Sequence, residues 1–261
     1  MATQPAKQPI RNPIKKNGKG RRQAVHRTDP FDGILLVDKP AGFTSHDVVA
    51  KVRSHFRLRK VGHGGTLDPM ATGLLILLLG RGTKLSERIM GTDKEYEGAI
   101  RLGATTDTED ADGTVLEERD YSHVTREAVE AEMTKRRGDQ MQTPPMVSAI
   151  KKNGVPLYKL ARKGKEVERD ARLIHVYHFA LLDFNPPHVR FALKCTKGTY
   201  VRTLAAELGA ALGCGAHLAE LQRTGIGNLH LAHATPLDEL LTCSLEELGE
   251  KVVPIYAFAA E

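Results

Sequence analysis

Runs and alternations of apolar residues along the chain predict a set of strands. The segment LLILLL at 74–79 is apolar at every position, which predicts a strand buried on both faces. GILLVDKP at 33–40 predicts a second strand that ends at Pro40, because proline lacks the N–H that strand pairing uses. RLIHVYHFALLDF at 172–184 and HVRFALKCT at 188–196 predict two long strands joined as a hairpin by NPPH.

A further strand is predicted for KEYEGAIRLG at 94–103. Side chains two residues apart lie on the same face of a strand, so Tyr96 points the same way as Ile100 and Leu102. Because that face is apolar, the Tyr96 hydroxyl requires a polar partner inside the protein.

Other segments carry apolar residues at the three- and four-residue spacing of amphipathic helices. They are SHDVVAKVRSHF (45–56), GTKLSERIM (82–90), TREAVEAEMTKRRG (125–138), VPLYKLARKG (155–164) and GTYVRTLAAELGAALG (198–213). Ser45 is predicted as the N-cap of the first helix. Strands outnumber helices and do not alternate with them as β–α–β units, which predicts an α+β fold with a largely antiparallel sheet flanked by helices.

One acidic residue, Asp68, lies in the glycine-rich stretch GHGGTLDPMATG, directly before the apolar strand at 74–79. Glycine permits sharp backbone bends, and Pro69 keeps the preceding residue out of the helical region. Asp68 is therefore held at the mouth of a buried strand, where a reactive carboxylate would be expected. The alternative is an Asx turn, in which Asp68 only caps its own loop, and this is the commoner use of such a residue.

Cysteine usage and hydropathy restrict the compartment. The three cysteines, Cys195, Cys214 and Cys243, are an odd number without CxxC spacing, which argues for a reducing compartment and against disulfides or a zinc site. The longest apolar run is far shorter than a membrane span, and no apolar segment follows the basic N-terminus as in a secretory signal. We therefore expect a cytoplasmic protein with no membrane partner.

Positive charge is concentrated in two segments. Residues 1–30 hold eight basic residues and one acidic residue, so the rest of the chain has a net charge of −1 although the whole chain carries +6. This segment is predicted to be a disordered basic arm that attracts a polyanion, with a solubilising leader as the alternative. Residues 151–172 hold eight basic residues against three acidic ones, beside an acidic stretch at 107–132, which predicts an oriented surface for nucleic acid.

Five stretches of the sequence, in this order, resemble the landmarks of the TruB family of tRNA pseudouridine synthases. They are LLVDKPAGFTSHDVV, VGHGGTLDPMATGLL, GTKLSERIMGTDKEYEG, QTPPMVSAIKKNGVPLYKLARKG and GTYVRTLAAELG. The resemblance extends from Phe31 to Leu241 and implies the pseudouridine synthase fold. It also implies a short form of the family, without the C-terminal RNA-binding domain of the PUA type.

The resemblance implies a division of the chain into three parts. Residues 1–30 form the basic arm, 31–241 the catalytic domain with a basic RNA-gripping insertion at about 142–172, and 242–261 a short acidic extension.

The resemblance implies catalytic roles for three residues. Asp68 is similar to the nucleophilic aspartate that attacks the target nucleotide. Tyr96 resembles the tyrosine that stacks on the uracil and assists removal of the proton at C5. Arg202 resembles the arginine that pairs with the aspartate, and such a guanidinium lowers the pKa of a carboxyl and orients it.

The resemblance also implies a set of substrate-binding residues. His63 is similar to the histidine that occupies space near the flipped base, Leu221 to the leucine of the pocket, and Lys39 with Pro40 to the KP motif that braces the active-site loop. The complete set is His63, Leu221, Tyr200, Lys39, Pro40, Lys151, Arg162 and Lys163.

The implied reaction is isomerisation of uridine 55 in the T-loop of tRNA to pseudouridine. The base leaves the stack, its N-glycosidic bond breaks and a C–C bond forms, with no group or electron gained or lost. No cofactor or metal is therefore expected, and the partner is the tRNA T-arm, bound by a monomer. The alternatives are a guide-RNA-dependent synthase of the H/ACA type and a non-catalytic tRNA chaperone, and attack at the sugar or at the base stays open.

Overall fold

A computed structural model of the chain describes residues 30–148, 150–152, 154–161, 164 and 167–258. The predicted basic arm therefore lies outside the described residues except for Pro30, and so do Arg162 and Lys163. Only the backbone of Lys151 is described, in a two-residue strand.

Helices and strands in the described residues follow one another without a β–α–β repeat. The strands are β1 (Gly33–Lys39), β2 (Val61–His63), β3 (Thr72–Leu79), β4 (Lys94–Leu102), β5 (Ala104–Thr106), β6 (Val115–Glu118), β7 (Gly138–Gln142), β8 (Lys151–Lys152), β9 (Val155–Pro156), β10 (Arg172–Asn185), β11 (His188–Cys195), β12 (Ala216–Ile226), β13 (Leu229–His230), β14 (Thr235–Pro236) and β15 (Val253–Pro254). The helices are α1 (Ser45–His55), α2 (Ser86–Gly91), α3 (Arg126–Lys135), α4 (Leu157–Ala161), α5 (Val201–Ala211), α6 (Leu237–Leu240) and α7 (Leu245–Lys251), with 3₁₀ turns at Gly80–Leu85, Leu231–His233 and Ile255–Phe258.

One large sheet forms the centre of the protein. Its strand order is β14-β1-β3-β12-β4-β11-β10-β7, with β2 on β3, β13 on β12 and β15 on β1. Most neighbours are antiparallel, and the parallel pairs are β1 with β14 and β3 with β12. The predicted α+β class with a mostly antiparallel sheet is confirmed, and so is the hairpin, which is formed by β10 and β11.

Strand β3 is buried on both faces, as predicted from its apolar run. Leu75, Leu77 and Leu79 face the larger core beneath α1, whereas Leu74 and Ile76 face a second cluster. Alternating side chains of one strand thus fill two separate cores. The strand that leads out of the Asp68 loop is therefore fixed from both sides.

Two local predictions were incomplete. Helix α1 is capped by Thr44, not Ser45, since Thr44 and Asp47 form a reciprocal capping box. Ser45 is buried, and its hydroxyl instead accepts from the Leu67 amide at 2.8 Å. Strand β12 was not predicted, because register shifts at Leu218/Glu220 and Arg223/Gly225 interrupt its alternation.

The predicted boundary at residue 241 does not coincide with a break in the described fold. Leu248 of α7 has no exposed surface and belongs to the larger core, and β15 pairs with β1. Residues 242–254 are therefore packed onto the same sheet. Among the described helices, none has the length and apolar character needed to cross a membrane.

Candidate active site

The loop between β2 and β3 carries Asp68 and is anchored at its neighbours. The Pro69 carbonyl accepts from the Gly42 amide at 2.9 Å, and the Asp68 carbonyl accepts from the Ala71 amide at 3.1 Å. Leu67 is buried and donates its amide to Ser45. The Asp68 side chain is 38% exposed, so a carboxylate on a rigid loop reaches solvent.

A buried lysine fixes this loop from beneath. The Lys39 side chain has no exposed surface, and its ammonium donates to the carbonyls of Pro40 (2.9 Å), Phe43 (2.7 Å) and Pro69 (3.2 Å). Burial lowers the pKa of Lys39 to about 8. Lys39 therefore contacts Pro69, the residue that follows Asp68, and Pro40 contributes only its carbonyl to these bonds.

The structure brings Arg202 and Asp68 together. Arg202 lies in the first turn of α5 with a side chain only 4% exposed, and its Nη1 is 3.7 Å from Asp68 Oδ2. The same Nη1 is 3.1 Å from Asp110 Oδ2, and Nη2 donates to the Val147 carbonyl at 2.5 Å. The guanidinium thus has its shorter ion pair with a carboxylate that sequence reasoning did not single out.

Asp110 is a buried member of the acidic stretch after β5. Its Oδ1 accepts from the Thr108 hydroxyl at 2.5 Å and from the Asp112 amide at 3.2 Å, and its own side chain is 4% exposed. In the sequence, Asp110 is one residue of the acidic stretch at 107–132, and that stretch was interpreted as surface charge. Nothing local distinguishes Asp110 from its exposed neighbours.

The balance of burial and charge raises the pKa of the Asp68 carboxyl above its ordinary value. Burial is the largest cause, and Asp110 and Asp112 raise the pKa further. Arg202 and Lys39 lower it, as expected for Arg202 from the sequence. Burial outweighs the guanidinium, so the net shift of this pKa is upward.

Tyr96 has its polar partner on the neighbouring strand. Tyr96 of β4 lies directly opposite Arg223 of β12, close enough for the Arg223 guanidinium to lower the pKa of its hydroxyl. The pKa of Tyr96 is raised to about 12, mainly by burial, with the Arg223 guanidinium opposing the rise and the Asp68 carboxylate contributing to it. The inward position predicted for Tyr96 is therefore matched by a buried cation.

Three further residues of the predicted set, His63, Leu221 and Tyr200, lie on or beside the elements that carry Asp68, Tyr96 and Arg202. His63 ends β2 half-buried and accepts from the Gly65 amide at 3.4 Å, and burial lowers the pKa of its imidazole. Leu221 is 8% exposed on β12, and its carbonyl accepts from the Thr72 hydroxyl at 3.4 Å. The Tyr200 ring centre lies 5.7 Å from the Arg202 guanidinium carbon.

This arrangement suits nucleophilic chemistry by a carboxylate. Within the described residues the Asp68 carboxylate has no hydrogen bond to its own loop, so the Asx-turn alternative does not describe it. The carboxylate is partly exposed and faces a fixed guanidinium, and a tyrosine lies close enough to interact with it electrostatically. No group of three or more potential metal-ligating side chains was found in the described part of the chain.

The fold defines the class of the protein. In a crystal structure of a Cbf5–Nop10–Gar1 complex, one chain is similar with a TM-score of 0.68 and 27% sequence identity. The match covers 87% of this chain and 66% of that one. The fold is that of the pseudouridine synthases.

Two family models match consecutive parts of the sequence. Residues 53–201 match the N-terminal domain of the TruB family pseudouridylate synthases, and residues 202–255 match the tRNA pseudouridylate synthase B C-terminal domain. The chain belongs to the TruB family. The boundary between the matches falls inside α5, and β12 of the second match lies between β3 and β4 of the first. The two matches therefore share one sheet.

Two relatives cover most of the chain. The tRNA pseudouridine synthase B of Opitutus terrae is 54% identical over 229 residues, which are 88% of this chain and 95% of that protein. The tRNA pseudouridine synthase B of Burkholderia pseudomallei is 46% identical over 227 residues, covering 87% and 75% respectively.

Proposed function

We propose that this protein isomerises uridine 55 in the T-loop of tRNA to pseudouridine. The observation that carries the proposal is the half-exposed Asp68 carboxylate, held beside the buried Arg202 in a member of the TruB family. Relatives named tRNA pseudouridine synthase B support tRNA as the substrate. The protein acts as a monomer on the T-arm, in the cytoplasm.

The proposed chemistry begins with the uridine flipped out of its stack. Asp68 acts as the nucleophile on the target nucleotide while the N1–C1′ bond breaks. The base turns, a C5–C1′ bond forms and the bond to Asp68 breaks, which restores the carboxylate; the proton at C5 is removed with help from Tyr96 while N1 gains a proton. His63 and Leu221 bound the space that the flipped base fills, and Tyr200 lies against Arg202 at its edge.

Lys39 and Pro40 have an indirect part in this proposal. Three carbonyls bound to the Lys39 ammonium hold the segment around Pro69 in place, so the nucleophile does not have to be ordered during each turnover. The basic residues at 151–172, among them Lys151, Arg162 and Lys163, are proposed to grip the T-arm.

The direct test is incubation of the protein with an unmodified tRNA transcript, followed by mapping of pseudouridine at each position. We expect pseudouridine at position 55 without any added cofactor, and none with the Asp68→Asn variant. Pseudouridine at other positions alone, or at none, would overturn the proposal.

The likeness in fold to Cbf5 makes a guide-RNA-dependent synthase the second candidate. The same assay separates the two, because a guide-dependent enzyme requires an added guide RNA before it modifies the transcript. A non-catalytic chaperone is separated by the variant: tRNA refolding that persists in Asp68→Asn, with no pseudouridine in the parent, would favour it.

A further inference from the structure

Arg223 is a buried cation outside the set of residues implied by the family resemblance. Its side chain is 1% exposed, among the largest fully buried side chains, and burial lowers the pKa of its guanidinium. Within the part of the chain that the structure describes, no carboxylate lies within ion-pair distance of it. Burying an unpaired charge is destabilising unless hydrogen bonds compensate it, so its contacts need an explanation.

Three contacts of Arg223 hold the strand and loop that present Asp68. Nε donates to the Leu74 carbonyl at 2.8 Å, Nη1 to the Thr66 carbonyl at 3.2 Å, and Nη2 to the Gly65 carbonyl at 3.3 Å. Gly65 and Thr66 belong to the loop of Asp68, and Leu74 begins the buried part of β3. One planar group therefore bonds to the loop at Gly65 and Thr66 and to the strand that follows it, whereas Lys39 bonds to the loop at Pro69.

The fourth contact is the Tyr96 hydroxyl. Residues directly opposite in neighbouring antiparallel strands have adjacent side chains on one face, which places Arg223 against Tyr96. A guanidinium only donates, so the Tyr96 oxygen is the atom that faces Arg223 favourably across this strand pair. The oxygen is thereby oriented by the same group that holds the aspartate loop.

We propose that Arg223 is a positioning residue that fixes the Tyr96 hydroxyl relative to the Asp68 loop and favours transfer of the hydroxyl proton. This inference rests on the proposed function. A positive charge against the oxygen stabilises the negative charge that develops on it when Tyr96 gives its hydroxyl proton to N1, before the same oxygen takes up the proton from C5. Neither effect requires Arg223 to touch the RNA.

The first experiment is a double-mutant cycle with Arg223→Lys, Tyr96→Phe and the double variant, measured as kcat on tRNA transcripts. We expect Arg223→Lys to lower kcat about 10- to 100-fold, the range for hydrogen bonds to charged groups, with tRNA affinity unchanged. In the Tyr96→Phe background the same change should have only a few-fold effect, because the hydroxyl it serves is gone. Losses that multiply independently would show that Arg223 does not act through Tyr96.

A second readout does not use catalysis. Titration of tyrosine absorbance at high pH, with Tyr96→Phe as the blank, reports the Tyr96 hydroxyl. Replacing Arg223 by Gln, which keeps a donor without the charge, should raise the pKa of Tyr96, since the cation lowers it. An unchanged titration overturns the proposal even if the parent makes no pseudouridine, so the two failures are distinguishable.

Arg136→Lys is the matched control for loss of a partly buried guanidinium. Arg136 donates to the Glu207 carbonyl at 2.7 Å and pairs with Glu132, away from the Asp68 loop. We expect a lower melting temperature with unchanged kcat and Tyr96 titration. If this control reduced kcat as much as Arg223→Lys, the effect would be one of general stability.

A different observation, the charge of one surface, carries a second inference. The segment KVRSHFRLRK at 51–60 has five basic residues and no acidic residue. We call it the α1 basic face, and its basic residues are Lys51, Arg53, Arg57, Arg59 and Lys60. Of these, Arg53 is half-buried and the others are exposed. Val52, Phe56 and Leu58 of the same segment are buried, so the charges stand on a rigid support.

The α1 basic face follows α1 away from the candidate site towards the far end of β3. Arg57 has a φ of 54°, which turns the chain from α1 towards β2, and β2 ends at His63. At the other end of α1, the buried Ser45 is bonded to Leu67 beside the nucleophile. The Lys60 carbonyl accepts from the Gly80 amide at the end of β3 remote from Asp68, so a bound RNA reaches this surface beyond its flipped uridine.

We infer that the α1 basic face binds the phosphate backbone of the substrate RNA in the part of the T-arm that extends beyond the flipped uridine. The inference rests on the proposed function. The chain beyond residue 30 has a net charge of −1, so attraction to a polyanion depends on local clusters. This cluster has the opposite sign to the acidic stretch at 107–132, which would orient the RNA.

The test replaces Arg53 and Arg57 by Gln and measures kcat, KM and tRNA binding over a salt series. Each lost phosphate contact should reduce the slope of log K against log salt by roughly 0.7 to 0.9, raising KM with kcat unchanged. The matched control is Arg119→Gln with Arg126→Gln, the same charge change on residues paired with Glu117 and Glu130. Equal slopes of log K against log salt for the two variants would overturn the inference. Because this measurement uses binding alone, it tests the inference whether or not the parent protein is active.

Discussion

The Arg202 guanidinium lies closer to Asp110 than to Asp68, with Nη1–Oδ2 distances of 3.1 Å and 3.7 Å. The buried Asp110 anchors the arginine, and the exposed Asp68 is left without a tight partner. A carboxylate bound firmly by a fork of two hydrogen bonds would be a poor nucleophile, because those bonds would have to break first. Here the cation is fixed by another acid and the nucleophile stays accessible.

The Asp68→Asn variant should make no detectable pseudouridine while its tRNA affinity stays within a few-fold of the parent. The change removes the nucleophile and keeps its shape. Because burial disfavours the ionised form of Asp68, we also expect the variant to melt at the same temperature or higher at neutral pH. Turnover near the parent rate in the mapping assay would remove Asp68 from the mechanism.

Replacing Tyr96 by Phe should lower kcat by about 10²- to 10⁴-fold, the usual range for loss of a proton-transfer group. The ring remains, so RNA binding and stacking on the uracil should persist, whereas Tyr96→Ala should weaken both. Single-turnover kinetics with binding measured separately will check this. Equal behaviour of the Phe and Ala variants in binding would exclude the stacking role.

Two changes probe the arginine and its anchor. Arg202→Lys should lose about 10- to 100-fold in kcat, since an ammonium cannot reach Asp68, Asp110 and Val147 together. Asp110→Asn should lower the free energy of unfolding by about 3 kcal/mol, because it leaves a buried guanidinium short of a charge partner. The comparison variant is Asp112→Asn, an exposed neighbour, which should leave both quantities nearly unchanged. Full activity of Arg202→Lys would show that a generic positive charge suffices.

The acid limb of the pH profile should lie above the range of an ordinary aspartate. Asp68 must be ionised to act, and its pKa is raised, so activity is lost as pH falls through that raised value. Asp112 is one cause of the rise, so Asp112→Asn should move the limb to lower pH. A pH profile of the single-turnover rate constant measures this, and an acid limb at or below pH 3.8, the ordinary pKa of an aspartate, would contradict it.

The two basic segments predicted from sequence should divide the work of holding tRNA. Deleting residues 1–30 should raise KM and flatten its salt dependence with kcat unchanged, because the arm supplies non-specific attraction. Reversing the charges of Arg162 and Lys163 should weaken binding even to an isolated T-arm stem-loop. If the deletion leaves the salt slope for full tRNA unchanged, the arm is only a leader.

Local patterns predicted the elements whose side chains repeat regularly. The apolar run of β3, the β10–β11 hairpin and the stripe of α1 all follow from neighbours in sequence. Strand β12 escaped because its bulges break the alternation on which such predictions depend. The α1 cap was assigned one residue late because Thr44 was not read together with Asp47.

The same distinction between local and long-range patterns applies to the residues of the candidate site. The family resemblance singled out Asp68, Tyr96 and Arg202, and the structure places Arg202 beside Asp68. Asp110 and Arg223 were not found, since each acquires its meaning from a partner far away in the chain. Asp110 meets Arg202 across 92 positions, and Arg223 meets Leu74 across 149. No local signal marks such a pair.

The position of β12 has a consequence for the folding of the enzyme during its synthesis on the ribosome. Strands β3 and β4 are synthesised early, yet residues 216–226 insert between them. A nascent chain that has made Asp68 and Tyr96 still lacks the strand that unites them, together with the arginine that bonds to both regions. The catalyst is completed only when most of its length has emerged, so truncated translation products carry the reactive residues without an assembled centre.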